Sequence, residues 1–429
     1  MRIERLRISN FKGFADSTLE LHPEFTLLIG ENGSGKSSVL EALAVAAGSW
    51  FLGLRGYDSR HIRQEDVRLA GIENPFGSWF EQQFPCTVEA WGELDGQQLS
   101  WKRSLNSKKG RTTYVDAVEL KELAHRAEEA VRSGRPVTLP LISYYSTGRL
   151  WKVPREQTRV HKAEQIKTKR ALSRFEAYRN SVDPRLSVSE LVEWIARESW
   201  RAFQNRGEFS ASFTAARKVM VHNVEGASDL SFAPEYGEVV VRFHGGECQP
   251  FSNLSDGQRC MLALVGDLAR KAVTLNPHFG PEALANTPGL VLIDELDLHL
   301  HPRWQRHVIA DLRRAFPKVQ FVCTTHSPQL VSELPRECIR IATADGGFET
   351  PSHSRDLDAN RVLEELMEVS ARPTEITAQL RELDALIANQ ELERARAVLA
   401  TLTTRFELGE NDPEVCRIQA AIDFFDDDS

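Results

Sequence analysis

A glycine-rich segment that ends in lysine and two serines is the part of the chain best suited to chemistry. It comprises residues Gly30-Glu31-Asn32-Gly33-Ser34-Gly35-Lys36-Ser37-Ser38 and fits the spacing G-x-x-x-x-G-K-[ST] at every fixed position. Glycines let backbone N–H groups turn toward a polyphosphate, lysine reaches the β- and γ-phosphates, and the serine hydroxyl ligates Mg²⁺. We therefore expect a phosphate-binding loop, with contacts from Gly30, Asn32, Gly33, Ser34, Gly35, Lys36, Ser37 and Ser38.

The flanking residues predict the elements that such a loop requires. Residues 25–29 are an apolar run typical of a buried strand, and residues 38–47 are rich in Ala, Leu and Val, which favours a helix. A strand, a loop and a helix in this order place the positive end of the helix dipole at the phosphates. A chance glycine-rich turn is the alternative, but it would not account for both flanks.

Three further motifs follow much later in the chain. Leu254-Ser255-Asp256-Gly257-Gln258 precedes a helical pattern, Leu290-Val-Leu-Ile-Asp294-Glu295 ends an apolar strand in two acids, and Phe321-Val-Cys-Thr-Thr325-His326 ends another in a histidine. Each has an ordinary structural explanation, respectively a helix cap, a strand end and a structural histidine. Their joint occurrence in this order, after a complete phosphate loop, favours a common catalytic site.

The opening of the chain supports the same class. A strand over 2–8, then Asn10-Phe11-Lys12-Gly13-Phe14, a second strand over 18–21 and the phosphate loop resemble the start of SMC/RecF/OLD-group ABC-type ATPases. The resemblance implies that Ser37 and Asp294 hold Mg²⁺, that Glu295 polarises the attacking water, and that His326 senses the γ-phosphate of ATP. It also implies a head-to-tail dimer or higher oligomer, in which Ser255, Gly257, Gln258 and Asp297 complete the ATP site of another copy.

One expected residue is absent from its usual place. SMC-like heads carry a glutamine on the strand that follows the antiparallel hairpins, whereas this chain has Tyr144-Tyr145-Ser146-Thr147-Gly148-Arg149 there. Gln64 is the alternative candidate. The difference affects the expected coupling step more than the expected binding of ATP.

The fold class predicted is α/β, an ABC-type P-loop ATPase head whose mixed central sheet is joined to an antiparallel β subdomain. The pattern divides the chain into the first half of the head (1–150), a helical insertion (151–218), the second half of the head (219–350) and a C-terminal helical interaction region (355–429). Predicted strands include 87–91, 99–105, 112–115, 139–145, 219–224 and 238–243, and predicted helices include 119–132, 156–180, 187–204, 261–275 and 303–316. Two C-terminal helices near 376–402 should form an αα-hairpin, followed by an acidic solvated tail.

Composition narrows the function classes. The 429 residues are 41% hydrophobic and 27% charged, with a net charge of −8, so any nucleic-acid site must be a local patch. No signal peptide or apolar run of about 18 residues occurs, and the six cysteines are scattered without a C-x-x-C pair. These patterns lead us to expect a cytoplasmic protein that has no membrane partner, zinc site or disulfide framework.

The segments around the motifs distinguish between ABC-type subclasses. The long separation between Lys36 and Ser255 disfavours a transporter subunit, and the short insertion without C-x-x-C disfavours a long-armed or zinc-hook SMC protein. Leu298-His299-Leu300-His301-Pro302 is similar to the OLD-like ATPases, but residues 336–429 lack the E…D-x-D constellation of a Toprim nuclease. No nuclease site is therefore expected in this chain.

Nearly the whole chain resembles the ATPase subunits of Septu-type antiphage systems, including those coupled to retrons. The resemblance implies an HNH nuclease partner whose activity depends on the ATP state, and it implies association with a retron reverse transcriptase complex. A RecF/SMC-like DNA repair or maintenance ATPase, or an ATP-sensing scaffold with little turnover, remains the alternative.

Two segments outside the motifs predict interaction surfaces. The insertion is basic over 151–174, and residues 101–111 add Lys102, Arg103, Lys108, Lys109 and Arg111, which predicts salt-dependent contact with DNA or RNA. A solvated helix face is the alternative. The C-terminal hairpin carries apolar stripes on both helices, which must be buried against either the ATPase core or a partner.

Overall fold

The structure is a computed structural model, and it describes residues 1–74, 77–148, 173–183, 188–370, 373–405 and 412–427. The chain divides into two compact units, Met1–Asp356 and Leu357–Ser429. The first unit contains all the motifs that suggest chemistry. The predicted helix over 156–180 and most of the basic insertion lie outside the described residues.

The strands belong almost entirely to the first half of the chain and to the region around the downstream motifs. In chain order they are β1 (Arg2–Phe11), β2 (Phe14–Glu20), β3 (Phe25–Ile29), β4 (Leu69–Asn74), β5 (Gly77–Gln82), β6 (Cys86–Leu94), β7 (Gln97–Leu105), β8 (Leu141–Tyr145), β9 (Ala227–Ala233), β10 (Glu238–Phe243), β11 (Cys248–Pro250), β12 (Gly289–Ile293), β13 (Val319–Thr324), β14 (Ile339–Ala342) and β15 (Phe348–Glu349).

The helices of the first unit surround these strands, and the last four helices belong to the second unit. In chain order they are α1 (Lys36–Ala47), α2 (Val118–Arg132), α3 (Val188–Gln204), α4 (Ala211–His222), α5 (Asp256–Leu275), α6 (Ala283–Asn286), α7 (Pro302–Ala315), α8 (Pro328–Ser332), α9 (Ala359–Glu365), α10 (Thr374–Ala388), α11 (Leu392–Arg405) and α12 (Pro413–Asp427). None of the helices in the described residues combines the length and the apolar character needed to cross a membrane.

A six-stranded sheet forms the centre of the first unit. Its strand order is β15-β14-β3-β13-β12-β8, and all neighbours are parallel except the β14–β15 pair. The residues of β3, β12, β13 and β8 are buried along their whole length, because helices and a second sheet cover both faces. The mixed α/β fold class predicted from the sequence is confirmed.

The helix that follows the phosphate loop lies between two sheets. The antiparallel sheet has the order β2-β1-β6-β7, and α1 contacts strands of this sheet and of the central sheet. The Trp101 indole N–H of β7 donates to the Ala46 carbonyl at 2.9 Å, which joins the antiparallel sheet to the last turn of α1. Because α1 is buried on both sides, the position of the phosphate loop at its start is held by two layers.

Several predicted elements were wrong in detail. Residues 219–224 are not a strand, because the helix α4 runs to His222 and buries Phe213, Ala216 and Met220 at helical spacing. Residues 112–115 do not continue the meander, since Val115–Ala117 is a 3-10 turn, and Arg174–Tyr178 is a 3-10 turn instead of the end of an α-helix. The hairpin of β4 and β5 was not predicted, because neither strand has a clear alternation of apolar and polar residues.

The second unit contains a three-helix cluster where an αα-hairpin was expected. The predicted solvated tail is in part the helix α12, and its Val415, Ile418 and Ile422 are buried in one core with residues of α10 and α11. That core contains Leu383, Leu386, Ile387, Ala395, Leu399, Leu402, Val415, Ile418 and Ile422. The apolar stripes are therefore buried within the unit, so they do not require a partner.

This packing predicts a local destabilisation when α12 loses a core side chain. Ile418 is fully buried, so Ile418→Ala should destabilise the second unit by about 2–4 kcal/mol, whereas exposed Gln419→Ala should have little effect. Hydrogen exchange of α10 and α11 amides in the full chain is the measurement, and faster exchange is expected only for Ile418→Ala. Equal exchange in both variants would mean that α12 does not support the hairpin.

Candidate nucleotide-binding site

The phosphate loop has a backbone that only glycine adopts easily. Gly30, Gly33 and Gly35 have φ values of 141°, 87° and 92°, and Gly35 is the N-cap of α1. No side chain caps this helix start, and the first turn, all of it described, contains no acidic residue. The first N–H groups of α1 thus lack an intrahelical acceptor, and no acidic side chain of the first turn competes with an anion for them.

Two of these glycines also allow close packing around the loop. A Cβ at Gly35 would lie 2.5 Å from the Phe14 ring, and one at Gly30 would lie 2.6 Å from the Ala342 carbonyl oxygen. Phe14 belongs to the Asn-Phe-Lys-Gly-Phe segment and packs on Phe348, with 5.8 Å between the ring centroids. This contact gives a steric reason for the proximity of that segment and the phosphate loop.

Lys36 is positioned by the loop that it closes. Its Nζ donates to the carbonyls of Gly30 at 2.9 Å and Glu31 at 2.7 Å, and the residue is buried. Burial lowers the pKa of the Lys36 ammonium, whereas the charges of Asp294 and Glu295 act in the opposite direction. The ammonium has three donors, so two bonds to the loop leave one for a phosphate oxygen.

Ser34 has a polar atom that suits the same ligand. Its Oγ is buried and has no hydrogen-bond partner among the described residues. A buried hydroxyl without a partner is costly, and an oxygen-rich ligand in the loop would relieve that cost. The loop therefore fits a polyphosphate on three independent grounds: glycine conformation, an uncapped helix start and an unsatisfied hydroxyl.

Asp294 connects the start of α1 to the ends of two strands, β13 and β8. Its Oδ1 accepts from Ser37 Oγ at 3.0 Å and from Thr324 Oγ1 at 2.6 Å, and its N–H donates to the Tyr145 carbonyl at 2.8 Å. Serine hydroxyl and carboxylate oxygens are hard ligands of the kind that Mg²⁺ prefers, with substrate phosphates and water supplying the rest. Ser37 and Asp294 therefore fit the magnesium role predicted for them.

Two threonines at the end of β13 orient the acids after β12. The Thr324 hydroxyl accepts from the Glu295 N–H at 2.7 Å, and the Thr325 hydroxyl donates to Asp297 Oδ1 at 2.5 Å. Glu295 has a positive φ of 48°, an uncommon backbone for a residue other than glycine, which is typical of functional sites. His326 follows these threonines directly and is exposed.

The signature segment forms a regular helix start on the same unit. The Ser255 hydroxyl accepts from the Gln258 N–H at 3.3 Å, and Gln258 Oε1 accepts from the Ser255 N–H at 3.1 Å, which is a capping box. Gly257 packs against the segment after Asp297, since a Cβ there would lie 2.5 Å from the His299 carbonyl oxygen. Ser255, Gly257 and Gln258 thus lie beside the residues that follow the acidic pair.

A buried charge network joins the signature helix to the strand beside Asp294. On α5, Asp267 accepts from the Tyr145 hydroxyl at 2.7 Å and pairs with Arg270 at 2.7 Å and Lys271 at 2.9 Å. Burial raises the pKa of the Asp267 carboxyl, but Lys271 and Arg270 more than offset this and hold it below its ordinary value. Arg270 also pairs with Glu190 of α3 at 2.9 Å.

Gln64 lies beside the β4–β5 hairpin and not at the end of a strand of the central sheet. It is exposed in a 3-10 turn at Gln64–Asp66, and its carbonyl accepts from the Gln82 amide at 3.1 Å, beside the base of the β4–β5 hairpin. Its role in coupling stays a prediction. Tyr145, which ends β8, instead provides the described connection from this position to Asp294.

The sequence interpretation missed Thr324, Thr325, Tyr145 and Asp267 as positioning residues. Two consecutive threonines at the end of an apolar strand, immediately before His326, were a usable signal for the first two. The Tyr145–Asp267 bond had no comparable signal, because a tyrosine in an apolar strand and an aspartate in a helix are both common.

Together, the parallel sheet, the phosphate loop and the two acids after β12 form the arrangement of a P-loop ATPase. Two family models match the chain, "AAA domain" over residues 5–202 and "AAA domain, putative AbiEii toxin, Type IV TA system" over residues 152–332. The two matches together include the phosphate loop, the signature segment, the two acids and His326.

Relatives with names of defence systems match much of the chain. The retron Ec83 probable ATPase of Escherichia coli is 26% identical, over 99% of this chain and 87% of that protein. The Septu protein PtuA of Bacillus mycoides is 27% identical, over 76% of this chain and 38% of its own length. The resemblance to retron ATPases and Septu proteins predicted from the sequence is confirmed.

Solved structures include an SMC head bound to the C-winged helix domain of ScpA. It has a TM-score of 0.48 and 18% identity, and the match covers 82% of this chain and 98% of that one.

The double role of Thr324 predicts a selective loss of turnover. Thr324→Val keeps the buried volume but removes the hydroxyl between Asp294 and the Glu295 N–H, so ATP hydrolysis should fall about 10–100-fold. Binding of a fluorescent ATP analogue should change little, because Lys36 and the loop are untouched. Thr324→Ser should restore most of the activity, and a valine variant with ordinary turnover would refute this positioning role.

Proposed function

We propose that the chain binds Mg-ATP between two copies arranged head-to-tail, hydrolyses it, and thereby regulates a partner effector in antiphage defence. The observation that carries the proposal is the convergence of Ser37, Asp294 and Thr324 next to Lys36 and Glu295. The partner implied by the resemblance is an HNH nuclease. The defence role rests on the similarity to retron and Septu ATPases.

The proposed chemistry assigns a task to each group of the site. Lys36 and the N–H groups of the loop bind the β- and γ-phosphates, and Glu295 accepts a proton from the attacking water as a general base. Mg²⁺, held by Ser37 and Asp294, would neutralise charge on the phosphates. Thr324 keeps Asp294 and Glu295 in fixed relative positions, and His326 is exposed next to them to sense the γ-phosphate.

The proposal of a second copy rests on the resemblance to ABC-type ATPases, in which the signature segment of one copy completes the ATP site of the other. Ser255 and Gln258 make their described hydrogen bonds to each other and cap their own helix. Among the described residues, no hydrogen bond joins the uncapped donors of the phosphate loop to the signature segment of the same copy. In the proposed dimer, Ser255, Gly257, Gln258 and Asp297 of one copy close over the ATP bound to the other.

Single substitutions distinguish binding from hydrolysis. Lys36→Ala removes the ammonium that faces the phosphates, so binding of radiolabelled ATP should be lost. Glu295→Gln keeps the shape but removes the base, so ATP should bind and accumulate without turnover, and the dimer should persist on sedimentation. If the Lys36→Ala protein bound ATP like the unmodified protein, the assignment of the loop would be wrong.

Mixing two inactive variants tests the head-to-tail arrangement. Lys36→Ala and Ser255→Arg damage opposite halves of a composite site, so a mixed dimer contains one site with both changes and one intact site. With random pairing and independent sites, the mixture should regain about a quarter of the normal ATPase rate, whereas each variant alone stays inactive. A mixture as inactive as its components would contradict the composite site.

The number of ATP molecules hydrolysed per chain distinguishes an ATP-hydrolysing enzyme from a scaffold that only senses ATP. Tyr145 and the following residues occupy the place of the expected coupling glutamine, which favours an ATP-sensing scaffold as the second candidate. Multiple-turnover hydrolysis by the unmodified chain would exclude the pure sensor. A single burst of phosphate equal to the protein concentration, with no later turnover, would favour it.

A further inference from the structure

The β4–β5 hairpin exposes apolar side chains on both of its faces. Leu69 and Phe80 lie on one face with 57% and 75% of their surfaces exposed, and Ile72 and Trp79 lie on the other with 37% and 42%. In the described residues, β4 and β5 pair only with each other, as a separate two-stranded sheet. Such hairpins are marginal in water unless a partner covers them, so these side chains favour a bound ligand.

The hairpin borders a basic turn. A groove of about 570 Å³ is lined by Leu69, Phe80 and Phe84 on one side and by Asn106, Ser107 and Lys108 on the other. Lys108 is followed by Lys109 and Arg111, and all three are exposed. Among the described residues, none of these three cations forms an ion pair. One acidic side chain, Glu81, also lines the groove.

The sequence predicts a basic surface over residues 101–111, but the structure leaves only part of this stretch exposed. Arg103 is fully buried and donates to the Thr113 carbonyl and the Ser59 hydroxyl. Burial lowers the pKa of its guanidinium to about 10. Arg103 therefore belongs to the core, whereas Lys108, Lys109 and Arg111 remain accessible at the end of β7.

We propose that the groove between the β4–β5 hairpin and the Lys108–Arg111 turn binds single-stranded nucleic acid. An exposed aromatic ring gives unpaired bases a surface on which to stack, and neighbouring cations contact the phosphates between them. Bases inside a duplex have no free face for such a ring, so single strands are favoured over double strands. The net charge of −8 restricts nucleic-acid binding to local patches, and this turn is one such patch.

The base of the hairpin is connected to the phosphate-loop helix. The Arg68 N–H donates to the Asn10 carbonyl at 2.9 Å, and the Lys12 N–H donates to the Asp66 carbonyl at 2.6 Å. The Lys12 ammonium in turn pairs with Glu41 of α1 at 2.6 Å. The groove is thus adjacent to residues that contact α1, the helix that follows the phosphate loop. Binding of a single strand in the groove does not require ATP hydrolysis.

Fluorescence anisotropy with the full chain tests the groove directly. The probes are a fluorescein-labelled oligothymidylate of about 20 nucleotides, long enough for one site of this class, and a duplex of the same length. The unmodified protein should prefer the single strand, and its affinity should fall linearly with the logarithm of salt concentration. An equal or stronger affinity for the duplex would overturn the proposal.

Matched variants locate the binding. Phe80→Ala should weaken the single-strand affinity about tenfold through lost stacking, whereas Tyr236→Ala, equally exposed at 74% but beside Glu235 and Glu238, should not. Lys108→Ala should weaken binding and reduce the salt slope by about 0.7, and exposed Lys218→Ala on α4 should leave both unchanged. Every variant retains the basic stretch 151–174, so its contribution is constant.

Sedimentation of the same variants tests the competing occupant, a second protein surface. If Phe80→Ala changed the oligomeric state but left oligonucleotide affinity intact, the hairpin would be a self-association surface and the proposal would be wrong. Lost affinity with an unchanged oligomeric state is the expected result. Because Phe80 is largely exposed, this variant should fold normally.

Discussion

The nucleotide site depends on one carboxylate at the carboxyl end of the central sheet. Asp294 is bonded to Ser37 from the phosphate loop, to Thr324 from the neighbouring strand and, through its backbone, to Tyr145. These residues come from four separate parts of the chain, and the parallel strand order β3-β13-β12-β8 brings their ends together. A change of register in any of these strands would move one of the residues that bond to Asp294 out of reach.

Close packing restricts the phosphate loop as strongly as its glycine conformations do. The ring of Phe14 and the carbonyl of Ala342 occupy the space that side chains at Gly35 and Gly30 would need. Phe14 comes from the antiparallel sheet and Ala342 from β14 of the central sheet, so the loop lies where the two layers meet. The Asn-Phe-Lys-Gly-Phe segment therefore has a structural role in shaping the site as well as a diagnostic one.

A network of buried charges connects the signature helix α5 to the nucleotide site. Asp267, Arg270 and Lys271 are all buried, and breaking one partner would leave an uncompensated charge in a low-dielectric interior. Asp267 also accepts a hydrogen bond from the Tyr145 hydroxyl, and the Tyr145 carbonyl accepts one from the Asp294 N–H. Movement of α5 would therefore disturb β8 next to Asp294. The network provides a physical connection between the signature segment, α3 and the candidate magnesium ligands.

The sequence by itself determined the features that depend on neighbouring residues. The glycine spacing before Lys36, the buried strands at 25–29 and 290–293, and the capping residues Ser255 and Gln258 are local patterns. Each implies its element through backbone conformation, apolar periodicity or a short-range hydrogen bond. The α/β class and the candidate residues Lys36, Ser37, Asp294 and Glu295 followed from these patterns.

Only the tertiary structure decided which surfaces are covered. Residues 219–222 have β-branched character but end a helix, because Met220 packs in the core with Phe213 and Ala216. The acidic character of the last residues concealed that Ile418 and Ile422 bury against α10 and α11. Likewise, the hydroxyl of Thr324 reaches Asp294 only because β12 and β13 are neighbours. Such contacts depend on residues distant in sequence, so no local pattern encodes them.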